Sequence, residues 1–223
     1  MIVYNNFEVI KIKNIIKMLS TNKNFRIVIA DTYQIAEKEL NDFTGNDYIR
    51  EFLKQIITNC TLLSAMNDFN QKISFSLRLS KEISIFCMIT NSKFSIEYTG
   101  KLSQFDGTIA DLFDGKSLLS ITTGDWNTGL HTGTVEAHID NVNILFDYFT
   151  VQSEQLPSHF IMAGDNSARG MLMQPLPFAD EKAIAKNDAE LVYLSKQLEH
   201  TEWQKVRSIY SHLANVISES RIE

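Results

Sequence analysis

One segment of the sequence comes close to a phosphate-binding loop. Ala110–Ser117 fits the relaxed G-x-x-x-x-G-K-S expression, with alanine in place of the first glycine. Such a site needs backbone N–H groups around the phosphate and a helix that begins directly after Lys116 and Ser117. Here Asp111 and Asp114 would repel the phosphate, and the residues after Ser117 favour a strand. We therefore expect a loop between strands and no nucleotide site.

The other residues that could carry chemistry are scattered along the chain. The histidines show no His-Glu or His-His pair at the spacing of metal ligands, and no G-x-S-x-G elbow is present. Two cysteines, Cys60 and Cys87, are too few for a disulfide framework or a four-cysteine zinc site. We expect Cys60 to be a small buried residue, the protein not to be an enzyme, and no metal or cofactor to be bound. The histidines are His131, His138, His159, His200 and His212.

Composition excludes several classes of protein. The 223 residues carry 21 Lys and Arg against 27 Asp and Glu, a net charge of −6, which argues against binding nucleic acid by bulk electrostatics. A hydrophobic content of 44% with only 9 Gly and 3 Pro predicts a folded core. The apolar runs fall short of the roughly 20 residues of a membrane span, and no signal peptide is evident. We expect a cytoplasmic protein that contacts neither nucleic acid nor membrane.

Periodicity indicates a mixed core built around one long helix. Phe25–Asp31 alternates as a strand, with Ile27 and Ile29 on one face and Val28 on the other. Asn46–Asn67 has a helical period, with a cap supplied by Asn46 or Asp47. The apolar positions of this helix are Ile49, Phe52, Leu53, Ile56, Ile57, Cys60 and Leu63.

The period changes from 3.6 to 2 after Asp68, which predicts an antiparallel meander. Its three strands begin near Ile73, Ile83 and Phe94, and a turn at 91–93 joins the last two. Further strands, a helix and two more strands follow in that order. They are predicted at Ser117–Thr123, Thr132–Ala137, Asp140–Gln152, Phe160–Ala163 and Gly170–Gln174.

The region after Pro177 is purely helical in pattern. Asp180–His200 forms one predicted helix, and Thr201 with Gln204 fits a capping box that opens a second. The second helix carries an apolar stripe at nearly heptad spacing. We predict an α+β fold, with an antiparallel sheet core packed with a long helix over 1–177 and a two-helix, linker-like appendage over 178–223. The stripe residues are Trp203, Val206, Tyr210, Leu213 and Ile217.

Two motifs carry a resemblance to a known family. Asp147–Phe149 precedes the run S-E-Q-L-P at 153–157, and G-M-L-M-Q-P-L-P follows at 170–177. The chain resembles the heat-shock protein 33 family of redox-regulated holdase chaperones over roughly residues 25 to 215. In this family S-E-Q-x-P is followed by G-G-x-x-x-Q-x-x-P. The matching residues are Ser153, Glu154, Gln155, Pro157, Gly170, Gln174 and Pro177.

The family's C-terminal zinc-binding redox module is expected to be absent. That module uses C-x-C and C-x-x-C cysteines, and Cys60 and Cys87 match none of its four ligands. Zinc binding and the thiol switch are therefore not carried over to this chain. No other cofactor follows from the resemblance.

The resemblance implies an ATP-independent holdase of the stress response. Such a protein binds unfolded or misfolded clients and prevents their aggregation, and members of the family tend to form homodimers. The alternative is a shortened paralogue that serves as a structural or regulatory binding protein for one specific partner. Whichever of these holds, we expect the final stripe to pack on its own core or on a second subunit, or else to contact clients directly.

Overall fold

The computed structural model describes residues 13–67, 72–125, 129–138, 140–177 and 179–223. These residues form ten strands and five α-helices. Every strand pairing among them is antiparallel. The strands are β1 (Ile15–Ser20), β2 (Phe25–Asp31), β3 (Lys72–Arg78), β4 (Ser84–Thr90), β5 (Lys93–Tyr98), β6 (Leu118–Asp125), β7 (Gly129–Glu136), β8 (His159–Ala163), β9 (Asn166–Pro175) and β10 (Ala214–Ser220). The helices are α1 (Tyr33–Glu39), α2 (Asp47–Ser64), α3 (Val142–Glu154), α4 (Glu181–His200) and α5 (Val206–Tyr210).

The strands form two five-stranded sheets. The first sheet has the order β10-β1-β2-β9-β8, and the second has the order β5-β4-β3-β6-β7. The predicted α+β class, the long helix and the meander are confirmed. Strand β1 was not predicted from the sequence.

Helix α2 lies between the two sheets and organises the main core. The Asn46 side chain accepts a hydrogen bond from the Ile49 N–H at 2.9 Å, which caps the helix as expected. Apolar residues of α2, including Leu53 and Ile57, pack in one cluster with Val28 of the first sheet and Phe75 of the second. Both sheets therefore bury one face against the same helix.

A second core covers the opposite face of the first sheet. Ile27 and Ile29 of β2 point into it, whereas Val28 points into the main core, as the alternation predicts. Helix α4 contributes Leu191 and Leu198 to this second core. The first sheet is thus covered on both faces. Among the described helices, none is both long and apolar enough to cross a membrane.

The predicted final helix is wrong. Residues 203–205 form a single 3₁₀ turn, α5 lasts five residues, and 214–220 form the edge strand β10 of the first sheet. The predicted capping box at Thr201 is not formed, because Glu202 precedes the turn and no side chain caps it. The Thr201 hydroxyl donates instead to the Gln197 carbonyl at 2.7 Å. The segment over 178–223 is therefore partly helical and partly a strand of the core sheet.

Strand pairing explains this outcome. The sequence N-V-I-S at 215–218 contains two β-branched residues, which suit an extended backbone. Pairing with β1 sets Met18 opposite Val216 and Leu19 opposite Asn215, with a bulge between Lys17 and Met18. The pairing supplies hydrogen bonds to the backbone of β1 that a helix could not supply. These hydrogen bonds stabilise the strand over the helix that the apolar spacing suggests.

Candidate functional site

Two of the family-motif residues, Glu154 and Gln174, lie near Arg26 of the first sheet. Gln174 of β9 is 3% exposed, and its Oε1 accepts from both Arg26 Nε, at 2.9 Å, and Arg26 Nη2. Its Nε2 donates to the Ser158 hydroxyl at 2.9 Å, and that hydroxyl donates to the Leu156 carbonyl at 3.1 Å. The buried amide of Gln174 therefore ties β2 and β9 to the segment that follows α3.

The S-E-Q-x-P run forms the end of α3. Gln155 has a φ of 54°, the left-handed conformation that commonly ends a helix, and the Leu156 N–H bonds the Thr150 carbonyl at 3.1 Å. Ser153 lies directly against Gly133 of β7, where a Cβ atom would overlap the serine hydroxyl and lie 3.0 Å from Phe149 Cζ. The motif therefore fixes the helix end against the second sheet.

Glu154 and Arg26 lie close enough for each to change the pKa of the other. Burial raises the pKa of Glu154 above its usual value, although the charges of His131 and Arg26 act in the opposite direction. Burial likewise lowers the pKa of Arg26, and Glu154 opposes that shift. This arrangement therefore brings one carboxyl group and one guanidinium group of opposite charge close together.

Gly170 lets α2 approach the β8–β9 hairpin. A Cβ atom there would lie 2.9 Å from Met162 Cε and 3.2 Å from Thr58 Cγ2. Beside this contact the Thr58 hydroxyl donates to the Ser167 carbonyl at 2.8 Å and lies 2.6 Å from the Thr32 hydroxyl. The remaining motif residues, Pro157 and Pro177, are exposed in the segments that flank β8 and β9.

The segment that resembles a phosphate loop has a different structure. Asp114 Oδ1 accepts from the Lys116 N–H at 2.9 Å and from the Ser117 hydroxyl at 3.1 Å. These hydrogen bonds lower the pKa of Asp114, with the Lys116 N–H as the first cause. Strand β6 begins directly afterwards at Leu118, as predicted. The Asp114 carboxylate thus accepts the hydrogen bond from the Lys116 N–H, which a bound phosphate would need.

Both cysteines are free and buried, with Cys60 on α2 facing Cys87 on β4. Burial raises the pKa of the Cys60 thiol well above its usual value, helped by a hydrogen bond with Cys87. Metal ligation and nucleophilic attack both need the thiolate, which this environment disfavours. Within the described ranges, no three His, Cys, Asp or Glu side chains cluster closely enough to hold a metal ion.

The five residues of the predicted final stripe do not share a surface. Val206 and Tyr210 are fully buried in the second core, where the Tyr210 hydroxyl contacts Met171 Sδ at 3.4 Å and burial raises the pKa of the phenol. Trp203 and Leu213 are half-buried beside that core. Ile217 is 58% exposed on β10. Of the options stated above, packing on its own core is the outcome for Val206 and Tyr210.

Helix α3 carries an exposed apolar stripe that the sequence reasoning missed. Ile144 is 51% exposed and Val151 is 44% exposed. Tyr148 lies between them at helical spacing but is half-buried and packs against the main core. Leu156, just beyond the helix end, is 39% exposed. The opposite face of α3 is buried through Leu145, Phe146 and Phe149 among others. The signal was a second i, i+4, i+7 series beside the buried one.

The molecule is thus an α+β protein in which Ser153 and Gln174 of the motifs connect the end of α3 and the segment after it to the two sheets. Comparison with known families identifies the same family as the motifs do. The sequence model of the family described as Hsp33 protein matches residues 13–222. The chain belongs to this family.

Relatives and a solved structure extend the comparison. The chain is similar to the 33 kDa chaperonins of Shewanella sediminis and Shewanella woodyi, each 27% identical over 169 residues. Each match covers 74% of this chain and 58% of the relative, so the chain matches little more than half the length of these relatives. The crystal structure of the 33 kDa chaperonin of Thermotoga maritima superimposes with a TM-score of 0.70 at 15% identity, over 95% of this chain and 80% of that one. That structure shares the fold.

Proposed function

We propose that the protein is an ATP-independent holdase that binds unfolded polypeptides and prevents their aggregation. Membership of the Hsp33 protein family supports the chaperone role. The observation that carries the proposal is the exposed stripe at α3, formed by Ile144, Val151 and Leu156 and called here the α3 stripe. An apolar stripe on an otherwise well-buried helix is a surface suited to apolar segments of other chains.

The energetics of the α3 stripe suit reversible capture. Covering the exposed half of one such side chain contributes about 1 kcal/mol, since full burial contributes roughly 1.5–3 kcal/mol. Several weak, non-directional contacts hold an unfolded segment without selecting one sequence. The net charge of −6 keeps the protein soluble while this surface stays open.

The proposed activity needs neither nucleotide nor thiol oxidation. The loop before β6 directs Asp114 at the Lys116 N–H, and both thiols lie in the main core. We further propose, from the family resemblance, a cytoplasmic homodimer that acts in the stress response. Because Cys60 and Cys87 match none of the family's zinc ligands, we propose that this chain binds no zinc. We also propose that it contacts neither nucleic acid, because its net charge is −6, nor membrane. Analytical ultracentrifugation and elemental analysis of the purified chain would test the dimer and the metal content.

The double substitution Ile144→Ser with Val151→Ser tests the α3 stripe. Removing two contacts of about 1 kcal/mol each should weaken client capture about tenfold or more. The measurement is light scattering from thermally unfolding citrate synthase, with the chaperone titrated. The melting temperature of the variant should remain close to that of the wild-type protein, because both side chains are about half exposed.

A matched control is available on other elements. Val192 on α4 is 42% exposed and Ile217 on β10 is 58% exposed, close to the values for the stripe residues. The double substitution Val192→Ser with Ile217→Ser should leave aggregation suppression unchanged. If both double variants lost activity equally, the α3 stripe would not be the client surface. Suppression of one client protein alone would favour a dedicated binding partner instead.

A further inference from the structure

Strand β7 forms one edge of the second sheet, and its outer side is open. Successive residues of an antiparallel edge strand direct their N–H and C=O groups alternately toward the neighbouring strand and away from it. The Ala137 N–H donates to the Ser117 carbonyl at 2.8 Å directly after β7, which fixes this alternation. The residues whose backbone groups point away from β6, called here the β7 edge, are Leu130, Thr132, Thr134 and Glu136.

The outward backbone groups of the β7 edge are unpaired. Within the described part of the chain, no hydrogen bond reaches the N–H or the C=O of any of its four residues from outside the sheet. The threonine side chains bond to β6 instead: the Thr132 hydroxyl lies 2.8 Å from that of Thr122, and the Thr134 hydroxyl lies 2.9 Å from that of Ser120. All four residues of the edge are exposed to solvent. An unpaired row of this kind is a template for another extended chain.

The opposite edge of the same sheet is closed by the chain itself. The outward N–H of Phe94 on β5 donates to the Glu223 carbonyl at 2.6 Å, and the Glu223 N–H donates to the Ser92 carbonyl at 2.8 Å. The next outward N–H along β5, that of Ile96, donates to Glu39 Oε2 at 3.3 Å. The end of the chain thus adds to β5 through backbone hydrogen bonds, whereas β7 has no such cover among the described residues.

Strand β7 also lacks the features that usually protect an edge, namely lysine, proline or a bulge. Its sequence is G-L-H-T-G-T-V-E, its pairing with β6 runs without a register shift, and its one carboxylate is Glu136 at the end. The edge strands of the first sheet differ. The Phe160 N–H of β8 donates to Asp147 Oδ1 at 2.8 Å, and the pairings of both β8 and β10 contain a register shift. The β7 edge is therefore suited to pairing.

Helix α3 runs beside β7 in the opposite direction. Ser153 lies against Gly133, and the Tyr148 ring lies 5.8 Å from the ring of His138, just beyond the strand. An extended segment added to β7 directs every second side chain to the side of the sheet on which α3 lies. The α3 stripe belongs to that helix, so backbone pairing at β7 and apolar contact at α3 act on one bound segment.

We infer that the β7 edge binds an extended segment of a client polypeptide by strand addition. The N–H and C=O groups of Thr132 and Thr134 pair with the client backbone, and alternate client side chains face the α3 layer. The inference rests on the proposed function, because the occupant is taken to be a client.

The chemistry of the β7 edge favours an unfolded chain over a second copy of this protein. Backbone pairing does not depend on side-chain sequence, and an unfolded chain exposes the unpaired backbone groups that a folded protein has already satisfied. Pairing of β7 with β7 of a second copy about Gly133 would set the charged Glu136 opposite the apolar Leu130 at both ends, which is not a complementary pair.

Amide hydrogen exchange in the full wild-type chain tests strand addition directly. The probe is a short blocked peptide in which valine and threonine alternate. At saturation it should slow the exchange of the Thr132 and Thr134 amides at least about tenfold, because these N–H groups gain a partner. The amides of His131 and Gly133 already point toward β6 and should change much less. Binding without selective protection of the two threonine amides would overturn the inference, and so would absence of binding.

A second peptide tests the backbone hydrogen bonds alone. It has the same sequence, with methyl groups on alternate backbone nitrogens, and therefore cannot form the ladder. It should bind at least about tenfold more weakly than the unmodified peptide. Equal affinity for the two peptides would contradict strand addition.

Two substitutions of one threonine locate the binding. Thr132→Pro removes an outward N–H that β6 does not use, so the melting temperature should stay close to that of wild type while the peptide binds at least about tenfold more weakly. Thr132→Val keeps the N–H and is the matched control, and its peptide affinity should be unchanged. Thr134→Pro repeats the test should Thr132→Pro fail to fold. Equal affinity of the proline and valine variants, or conversion of a dimer to a monomer by the proline, would overturn the inference.

The aggregation assay separates this inference from the proposed function. If the wild-type protein suppresses citrate synthase aggregation but the peptide does not protect the β7 amides, the β7 edge is not a client site and the holdase proposal stands. If the peptide protects those amides and aggregation is not suppressed, the holdase proposal fails, and the β7 edge is a peptide site that does not serve a holdase.

Discussion

At the scale of single residues, close approaches explain why particular positions are small or polar. Gly133 brings β7 against the end of α3, and Gln174 satisfies Arg26 and Ser158 in a nearly dry environment. The motif residues were visible in the sequence, but their roles were not. Burial and partners arise only when β7, α3 and β9 come together, and no local pattern encodes that contact.

Replacing Gly133 by alanine should destabilise the fold. The added Cβ would overlap the Ser153 hydroxyl and crowd Phe149, so we expect a loss of about 1–3 kcal/mol in the free energy of unfolding. Gly115→Ala is the control, because no atom lies within 4 Å of the added Cβ. Urea unfolding of the two variants measures the difference, and equal stability would contradict the packing of β7 on α3.

Replacing Glu154 by glutamine should change how stability depends on pH. A carboxyl group whose pKa is higher in the folded than in the unfolded chain stabilises the fold less as the pH rises above its usual value of 4.5. Glu154→Gln removes that loss. The stability of the variant relative to wild type should therefore be more favourable near pH 7 than near pH 4.

Asp111→Asn provides the control of opposite sign. Hydrogen bonds from Thr108 lower the pKa of Asp111, so its contribution is present at neutral pH and lost on acidification. The relative stability of this variant should become less favourable as the pH rises. Chemical unfolding at the two pH values measures both, and the same sign for both variants would contradict the assignment for Glu154.

At the scale of elements, the spacing of apolar residues predicted the helices and strands that bury one face. Helix α2 and the meander follow the apolar spacing of the sequence, because each buries one face. Strands β1 and β10 escaped prediction for different reasons. Ile15 faces the main core and Ile16 the second core, so β1 shows no alternation. The apolar spacing from 203 to 217 imitates a helix, and only pairing with β1 makes its last part a strand.

Substitutions at Tyr210 and Ile217, two residues of the predicted final stripe, should change the stability of the fold by very different amounts. Tyr210 is fully buried in the second core, so Tyr210→Ser should cost about 3–5 kcal/mol of stability. Ile217 is 58% exposed, and Ile217→Ser should change stability by less than about 0.5 kcal/mol. Thermal unfolding measures both. Similar costs at the two positions would contradict the break between α5 and β10.

At the scale of the whole molecule, the layers define which surfaces remain for function. The second sheet, α2, the first sheet and α4 stack in that order, and each apolar face between them is covered. The apolar side chains that stay exposed outside these layers include those of the α3 stripe. The sequence predicted the family and the α+β class, but surfaces left open by packing can only be seen once the layers are assembled.

The central claim is that this chain prevents aggregation through exposed apolar surface, without nucleotide or oxidation. The most direct measurement is light scattering of several unrelated, thermally unfolding client proteins in reducing buffer, with and without ATP. The wild-type chain should suppress the scattering of all of them, and ATP should change nothing. Suppression that appears only after addition of peroxide or ATP, or no suppression at all, would contradict it.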